Sequence, residues 1–425
     1  MSTLSRKGLF WEHSGIDLEP QWESEPRIEA IQSVCCDLFE TDALDDFTVS
    51  FLSSGALNKV YIVEYKVQKK KFVFRVSLPV DPQYKTAGEV ATLSWLELNT
   101  TIPSPRVHAF QYSSENKIGY EWIMMDLMPG ASAYHRWRKM SMMAKTRLVE
   151  TIARYQAELI NSSEFRAIGT LQNFDLRRGA ERPPGRIVSL IFCWGKNFHY
   201  NIPRGPFRSS HDWLKAFISV IIQEKASEIN EAEDEEDRDC AKSALKVALM
   251  LDGLLPKIFP RIQNPPERTI LWHDDLSLEN IMVNEEGEVT AIIDWECVSA
   301  MPLWVTTQIP DFLVGPDREE EPCREKYADK APEDESESED IDQGKCEIYW
   351  DHLMEYEQTQ LRKVWMDRMA RGRRGWTESM SEDVLKVDFH EAVIRCAGGS
   401  FLMEIKEWID GVDRGEFPRL AKCIA

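Results

Sequence analysis

The spacing of apolar residues changes several times along the chain, and each change marks a different kind of predicted element. Apolar residues recur at helical spacing over 28–39, which predicts an amphipathic helix of roughly four turns. From 47 to 78, β-branched and aromatic runs alternate with charged or turn segments, which predicts an antiparallel meander. A predicted helix over 85–98 and strand-like runs near 106–112 and 119–126 complete a small lobe of five strands and one helix.

After Pro129-Gly130 the pattern becomes mainly helical. Helices are predicted over 141–161, 209–230, 238–258, 346–370 and 381–410. Three short apolar runs lie among these helices, and we expect them to form an island of sheet: Thr269–Trp272, Ile281–Val283 and 289–293.

The fold class predicted from this order is α+β with two lobes. A helical extension over 1–46 precedes the small antiparallel-sheet lobe over 47–128, and a larger, mainly α-helical lobe occupies 129–425. Within the larger lobe, the acidic segments 231–239 and 317–342 are predicted to be solvated insertions, the second of them disordered.

Composition fits an ordinary globular protein of two lobes, with 425 residues, 43% hydrophobic and 29% charged. The net charge is −21, and 317–342 alone holds thirteen Asp and Glu against four Lys and Arg. A nucleic-acid partner is disfavoured, because binding phosphates requires neutralising cations. Cationic partners remain compatible with the charge.

The cysteines and the apolar runs indicate the cellular location to expect for the protein. The nine cysteines have neither zinc-ligand spacing nor the pattern of a disulfide framework, and we expect them to be reduced. No run reaches the 18 or more apolar residues of a membrane span, and acidic residues near the start disfavour a signal peptide. A cytoplasmic location without membrane contact is therefore the expectation.

The most informative stretch is His273-Asp-Asp-Leu-Ser-Leu-Glu-Asn280, with Ile293-Asp294-Trp-Glu296 following it. Phosphoryl transfer from ATP needs a carboxylate for the acceptor hydroxyl and oxygen ligands for Mg²⁺. Asp275, Asn280 and Asp294 supply that set, since a four-residue loop and a hairpin can turn all three towards one point. His273 is assigned the structural role of holding the loop.

These motifs resemble the signature of the aminoglycoside phosphotransferase and choline-kinase-like family, H-x-D-x-x-x-x-N followed by I-D-W-E. The resemblance covers most of 47–310. It implies a protein-kinase-like fold with ATP in the cleft, Asp275 as catalytic base, and Asn280 and Asp294 as magnesium ligands. Residue 274 departs from the usual Gly, which leaves the backbone there less free to turn.

The small lobe offers the supporting parts of a nucleotide site. Gly55, in the turn after the first strand of the meander, could bring backbone N–H groups near phosphates. Arg75 is charged inside an apolar strand, so it needs an anion. Glu89 is the predicted ion-pair partner of Arg75, and Glu97 is the competing one.

The run Ile123-Met-Met-Asp-Leu-Met-Pro-Gly130 resembles the segment that joins the lobes in this family. By that match Met125 lies at the back of the pocket. The Asp126 carbonyl would accept a hydrogen bond from adenine, and the Met128 N–H would donate one. Plain core packing of the methionines is the alternative.

The leading hypothesis is a kinase that transfers the γ-phosphoryl of ATP to a hydroxyl of a small molecule. A protein kinase is disfavoured because no H-R-D, D-F-G or A-P-E triplet is present. A nucleotide-binding regulator without turnover is the second alternative, since Asp274 and the single-glycine loop are unusual.

The acceptor pocket is less determined, and the acidic chain only weakly favours a cationic acceptor. Several residues could line that pocket or pack as core, and core packing is the favoured interpretation: Trp194, His199, Trp213, Asp311, Tyr349 and Trp350.

Overall fold

The computed structural model describes residues 6–14, 17–172, 183–261, 264, 266–328, 345–373 and 376–424. The predicted fold class is confirmed, since a small antiparallel sheet with one long helix precedes a larger, mainly helical lobe.

The N-terminal extension contains a hairpin that the sequence analysis missed, β1 (Leu9–Ser14) paired with β2 (Asp17–Trp22). Its strands bury few residues against a core, so they lack a clear period-2 pattern. Aromatic contacts hold it instead, with Trp11 against Trp194 and Trp22 against Tyr120. The predicted helix follows as α1 (Ile28–Phe39), about three turns long rather than four.

A five-stranded antiparallel sheet forms the small lobe, in the order β3-β4-β5-β7-β6. The predicted meander and the two later strands are all present. The strands are β3 (Phe47–Ser54), β4 (Asn58–Tyr65), β5 (Lys70–Ser77), β6 (Val107–Gln111) and β7 (Glu121–Asp126), and helix α2 (Tyr84–Asn99) lies between β5 and β6. On β5, Arg75 is paired with Val60 and Ile123 on its two neighbours, which places it in the middle of the sheet.

The helices of the larger lobe match the prediction except near the C-terminus. They are α3 (Ala133–Arg136), α4 (Met142–Ser162), α5 (Leu190–Cys193), α6 (Ser210–Glu231), α7 (Glu235–Ile258), α8 (Glu347–Gly372), α9 (Trp376–Ala397), α10 (Leu402–Asp413) and α11 (Leu420–Cys423). The single helix predicted over 381–410 is wrong. It is divided between α9 and α10, because Gly399 and Phe401 adopt positive φ angles of 69° and 55° that end a right-handed helix.

The predicted island of sheet is also wrong, because the short strands belong to two separate sheets. One has the order β12-β11-β8 and the other β10-β13-β9. The strands are β8 (Ala131–Ser132), β9 (Gly169–Thr170), β10 (Thr269–Trp272), β11 (Ile281–Val283), β12 (Val289–Ile292) and β13 (Ser299–Pro302). β10 pairs with β13, whereas β11 pairs with β12 and β8, so β10 does not join the β11–β12 hairpin.

The two acidic segments compare differently with the prediction. Residues 231–239 are mostly exposed, as expected of a solvated segment, whereas the described part of the second segment has defined contacts where disorder was predicted. Residues 231–239 comprise the last residue of α6, a short turn and the first residues of α7, and the Asp234 carboxylate caps α7 by accepting from the Asp237 N–H at 2.8 Å.

In the second segment, Asp317 pairs with Arg362 of α8 at 2.8 Å. Arg318 and Tyr327 also contact this helix, at Glu355 and His352, so 317–328 lies along α8. The rest of the predicted insertion, 329–342, lies outside the described residues.

Two apolar cores stabilise the molecule. One lies under the small-lobe sheet and includes α1 together with Cys193 of the larger lobe. The other fills the larger lobe and extends to α2 and to Ile123 and Met125 of β7. Among the described residues, no helix is both long and apolar enough to cross a membrane.

Helix α2 begins next to a buried carboxylate on β7, Glu121. Its Oε1 accepts from the Gln83 N–H at 2.6 Å, in front of the first turn of the helix. Burial raises the pKa of Glu121 from 4.5 to about 7. The charged form is therefore less stable in the folded protein than in the unfolded chain, and ionisation of Glu121 works against folding.

We predict that the free energy of unfolding falls by about 3 kcal/mol between pH 4.5 and 7 through this group alone. Because Gln cannot ionise, Glu121→Gln should lack that decline. The free energy of unfolding of the variant should therefore rise relative to that of the wild type as pH increases. Urea unfolding at a series of pH values measures the difference. The exposed Glu115→Gln is the control, and parallel pH profiles for wild type and Glu121→Gln would contradict the prediction.

Candidate active site

A cavity of about 420 Å³ lies between the two lobes. Its walls are largely apolar and come from both lobes, including Val60 and Val73 on the sheet and Met282 and Ile293 on the β11–β12 hairpin. Charged and amide side chains gather at one end. Such a cavity has the size typical of a small-molecule site. It also has the typical lining, with apolar walls and a few polar groups that fix the orientation of a ligand.

The β11–β12 hairpin brings two predicted site residues to the polar end. Asn280 directly precedes β11, and its carbonyl accepts from the Ile293 N–H at 2.9 Å. Asp294 is the next residue, so the register of the hairpin places Asn280 and Asp294 at the same end. Both residues line the cavity.

Asp275 lies just outside the cavity and is connected to it through Asn280. The Asn280 amide donates to the Asp275 carbonyl at 2.8 Å and to its carboxylate at 3.1 Å. The Asp275 side chain is otherwise exposed. The loop thus holds a carboxylate open to solvent, beside the polar end of the cavity.

Asp294 occupies an unusual backbone conformation, with φ of 60°. Left-handed backbone costs of order 1 kcal/mol for a non-glycine residue, although Asp tolerates it better than most. Burial and then the negative charge of Glu296 raise the pKa of the Asp294 carboxyl. A cation bound at this carboxylate would stabilise its charged form against both the burial and the repulsion from Glu296.

Arg75 stands against Asp294 from the small lobe. Its guanidinium forms an ion pair with Glu89 of α2 and lies 3.0 Å from the Asp294 carboxylate. Both members of the Arg75–Glu89 pair are buried, with side chains 7% and 2% exposed. Glu97, the competing partner, instead lies 3.5 Å from Arg106 at the surface.

A second set of charges, which was not predicted from the sequence, lies beside Arg75. The Glu296 carboxylate lies 2.6 Å from the Lys85 ammonium, accepts from the Asn58 amide at 2.8 Å, and lies 3.5 Å from Arg75. Burial alone would raise the pKa of Glu296, but Lys85 and Arg75 together lower it to about 2. The available signal was a lysine four residues before Glu89, on the same face of the helix.

The remaining nucleotide-site residues line the other parts of the cavity, namely Gly55, Met125, Asp126 and Met128. A side chain added at Gly55 would meet nothing within 4 Å, so the turn there is open. The Asp126 carboxylate lies 2.6 Å from the His108 Nε2, and the Asp126 backbone N–H donates to the Arg106 carbonyl at 3.0 Å. The Met128 N–H donates no hydrogen bond to the described residues.

The predicted magnesium ligands are few but of the right kind. Among the described residues, no group of three or more His, Cys, Asp or Glu is arranged to hold a metal. Asn280 and Asp294 offer two hard oxygen donors at the cavity's polar end. Mg²⁺ fits such a set, because it commonly takes one or two protein oxygens and completes its shell with water and phosphate.

The residues considered for the acceptor pocket divide into two groups. Trp213, Tyr349 and Trp350 are buried, as the core interpretation predicted. His199 and Asp311 are exposed, so core packing is wrong for those two. Trp194 packs on the N-terminal hairpin and donates to the Leu18 carbonyl at 2.9 Å, away from the cavity.

His273 has the position expected of a structural residue. It is 5% exposed, and its Nε2 lies 3.2 Å from the Ile293 carbonyl. The ring also packs edge-on against Trp295, with centroids 4.7 Å apart. His273 therefore joins the loop that carries Asp275 to the segment that carries Asp294.

The model of the phosphotransferase enzyme family matches residues 48–305. This match covers more than half of the chain and includes the small lobe, the larger lobe as far as residue 305, and the polar end of the cavity. The chain therefore belongs to the phosphotransferase enzyme family, and the resemblance inferred from its motifs is confirmed.

Three curated relatives come from fungi. A subtelomeric hrmA-associated cluster protein of Aspergillus fumigatus is 26% identical over 307 residues, 62% of this chain and 60% of the relative. Clavilactone A biosynthesis cluster protein Y of Ampulloclitocybe clavipes is 24% identical over 232 residues, 54% and 53% of the two chains. Altered inheritance of mitochondria protein 9 of Saccharomyces cerevisiae is 22% identical over 317 residues, 63% and 50%.

The chain spans 50–60% of the length of these relatives. Because the yeast relative carries a mitochondrial name, the cytoplasmic location stays a prediction.

Two solved structures are similar along nearly the whole chain. Choline kinase from Cryptosporidium parvum is 13% identical with a TM-score of 0.47, and the match covers 94% of this chain and 100% of that one. Plasmodium vivax ethanolamine kinase is 12% identical with a TM-score of 0.48, and covers 93% and 87%.

We predict that Arg75→Met lowers the free energy of unfolding by about 3–5 kcal/mol, because Glu89 is left as a buried charge without its partner. Arg75→Met with Glu89→Met should recover most of that loss, since the carboxylate is removed as well. Urea unfolding of the single and double variants measures the coupling. Arg106→Met, at the exposed pair with Glu97, is the control and should change stability by less than about 1 kcal/mol.

Proposed function

We propose that this chain is an ATP-dependent kinase that phosphorylates a hydroxyl group of a small molecule. The observation that carries the proposal is the meeting of Arg75 and Glu89 from one lobe with Asn280 and Asp294 from the other, at the polar end of one cavity. The apolar part of the cavity, about 420 Å³ in all, suits a flat aromatic base.

The proposed nucleotide orientation follows from the two ends of the cavity. Adenine would lie between the apolar walls, with the Asp126 and Met128 backbone at its edge. The phosphates would extend towards Arg75, which offers a guanidinium, and towards the open turn that contains Gly55. Asn280 and Asp294 would hold Mg²⁺, which neutralises phosphate charge during transfer.

Asp275 is proposed as the catalytic base. It lies outside the nucleotide cavity, is exposed, and is oriented by the Asn280 amide. An acceptor hydroxyl could therefore reach it from solvent while the nucleotide occupies the cavity. The carboxylate would orient that hydroxyl and accept its proton as the oxygen attacks the γ-phosphorus.

A cationic hydroxyl compound is the proposed acceptor class, rather than a nucleic acid. Partial burial and the negative charge of nearby Asp275 raise the pKa of Asp311. Asp274 and Asp311 both experience the charge of Asp275, so the three carboxyl groups lie near one another, and in their ionised form they favour an acceptor carrying an amine or a quaternary ammonium.

A regulator that binds nucleotide without turnover is the second candidate. Asp274 in place of the usual Gly and the single-glycine loop around Gly55 favour it. Binding of ATP with Mg²⁺ but no ATP consumption across an acceptor panel would support this candidate over the kinase.

We predict that Asp275→Asn and Asp294→Asn separate the two functions of the site. Asp275→Asn should leave Mg²⁺-dependent ATP affinity within about threefold of wild type and lower turnover by about 10²–10⁴, as expected for loss of a general base. Asp294→Asn should weaken Mg²⁺-dependent ATP binding as well, because it removes a metal ligand.

Calorimetry with ATP and Mg²⁺ measures the binding part before the acceptor is known, and ATP consumption on an acceptor panel measures turnover. The exposed Glu285→Gln, in the turn of the same hairpin, is the control. Full activity of Asp275→Asn would show that Asp275 is not the base.

We also predict that a quaternary-ammonium alcohol is a better acceptor than the neutral alcohol in which carbon replaces nitrogen. The two differ in charge but hardly in shape, so a carboxylate field should favour the cation by about tenfold in kcat/KM. Asp311→Asn should reduce that ratio while sparing ATP binding. Equal rates for the two alcohols would contradict the proposed acceptor class.

A further inference from the structure

Three segments of the chain converge on the Glu296 carboxylate, which lies two residues after Asp294. Lys85 approaches it from α2, Asn58 from the start of β4, and Arg75 from β5. The Asn58 and Glu296 positions are 238 residues apart in sequence. The cluster thus joins the two lobes at the polar end of the cavity.

Lys85 also determines the orientation of Asn58. The Asn58 side-chain oxygen accepts from the Ser77 hydroxyl at 2.7 Å and from the Lys85 ammonium at 2.8 Å. Its amide nitrogen is left to donate to Glu296. The backbone carbonyl of Asn58 accepts from the Gly55 backbone N–H at 3.0 Å. A chain of hydrogen bonds therefore runs from Lys85 to the turn that borders the cavity.

The charges in the cluster are nearly balanced only because Lys85 is present. Glu89, Asp294 and Glu296 supply three negative charges, and Arg75 and Lys85 supply two positive ones. The Lys85 side chain is 1% exposed, so water contributes little to screening either it or Glu296. Without Lys85, Glu296 would compete with Glu89 and Asp294 for the single remaining cation.

We propose that Lys85 is a positioning residue for the nucleotide phosphates, acting through Glu296 and Asn58. It neutralises and holds Glu296, and so keeps Arg75 directed at Glu89 and Asp294. It also fixes the turn around Gly55 through Asn58. Lys85 itself is not among the residues that line the cavity, which distinguishes its role from that of Arg75. The inference rests on the proposed function.

The test is a double-variant cycle of Lys85→Met, Glu296→Gln and both together, with binding of a non-hydrolysable ATP analogue and Mg²⁺ measured by calorimetry. Lys85→Met should weaken binding by about 10–100-fold, the range found when groups that orient site ligands are removed. The double variant should return to within about threefold of wild type, because the charge balance is restored and the amide oxygen introduced by Glu296→Gln can still accept from Asn58.

The outcomes separate positioning from simple packing. Recovery in the double variant supports the proposal, since a packing defect would persist. If Lys85→Met alone does not fold, recovery of both folding and nucleotide binding in the double variant also supports the proposal. Unchanged affinity in Lys85→Met, or equal weakness in the single and double variants, would overturn it.

Lys59→Met serves as the matched control. Lys59 is the neighbour of Asn58 on β4, and its side chain is 13% exposed and pairs with Glu25, away from the cavity. Its replacement should leave nucleotide affinity unchanged. A wild-type protein that bound no nucleotide would overturn the proposed function and this inference together, whereas wild-type binding with no effect of Lys85→Met would overturn the inference alone.

Discussion

The buried charge of Arg75 is the constraint on which the site depends. A guanidinium on the central part of a sheet is costly to remove from water, and it is tolerated only when carboxylates surround it. Here those carboxylates come from α2 and from the segment after β12. The ion pairs of Arg75 with Glu89 and Asp294 therefore hold α2 and the two lobes together at the polar end of the cavity.

Helix α2 is held at several points besides Arg75. At its start, Glu121 accepts from the Gln83 backbone, and buried Asp81 forms a bidentate pair with Arg186 of the larger lobe. Arg6 bonds to the Val80 carbonyl nearby. The N-terminal extension and the loop before α5 thus support the helix whose side chains meet the cavity, which gives both peripheral segments a part in the site.

The chemistry of the site is divided between a buried part and an exposed part. Arg75 and Glu89 lie where water is scarce and where charges act strongly on each other, and Asp294 contacts Arg75 from the edge of this buried part. Asp275 lies in solvent, yet the Asn280 amide links it to the buried part. This division suits a reaction in which one reactant stays enclosed and the other arrives from solution.

The sequence by itself determined the two lobes and the grouping of Asp275, Asn280 and Asp294. These three residues lie on one loop and hairpin, so local spacing and turn signals were sufficient to bring them together. Periodicity likewise marked the strands and most helices, because the pattern of burial repeats within each element.

Only the tertiary structure decided how Lys85, Asn58 and Glu296 meet, and how the short strands divide between two sheets. No local pattern encodes such contacts, since their partners lie far apart in sequence and are selected by charge compensation and hydrogen bonding after the lobes have packed. The N-terminal hairpin was missed for the same reason, because its stability comes from aromatic contacts with distant residues rather than from a period of its own.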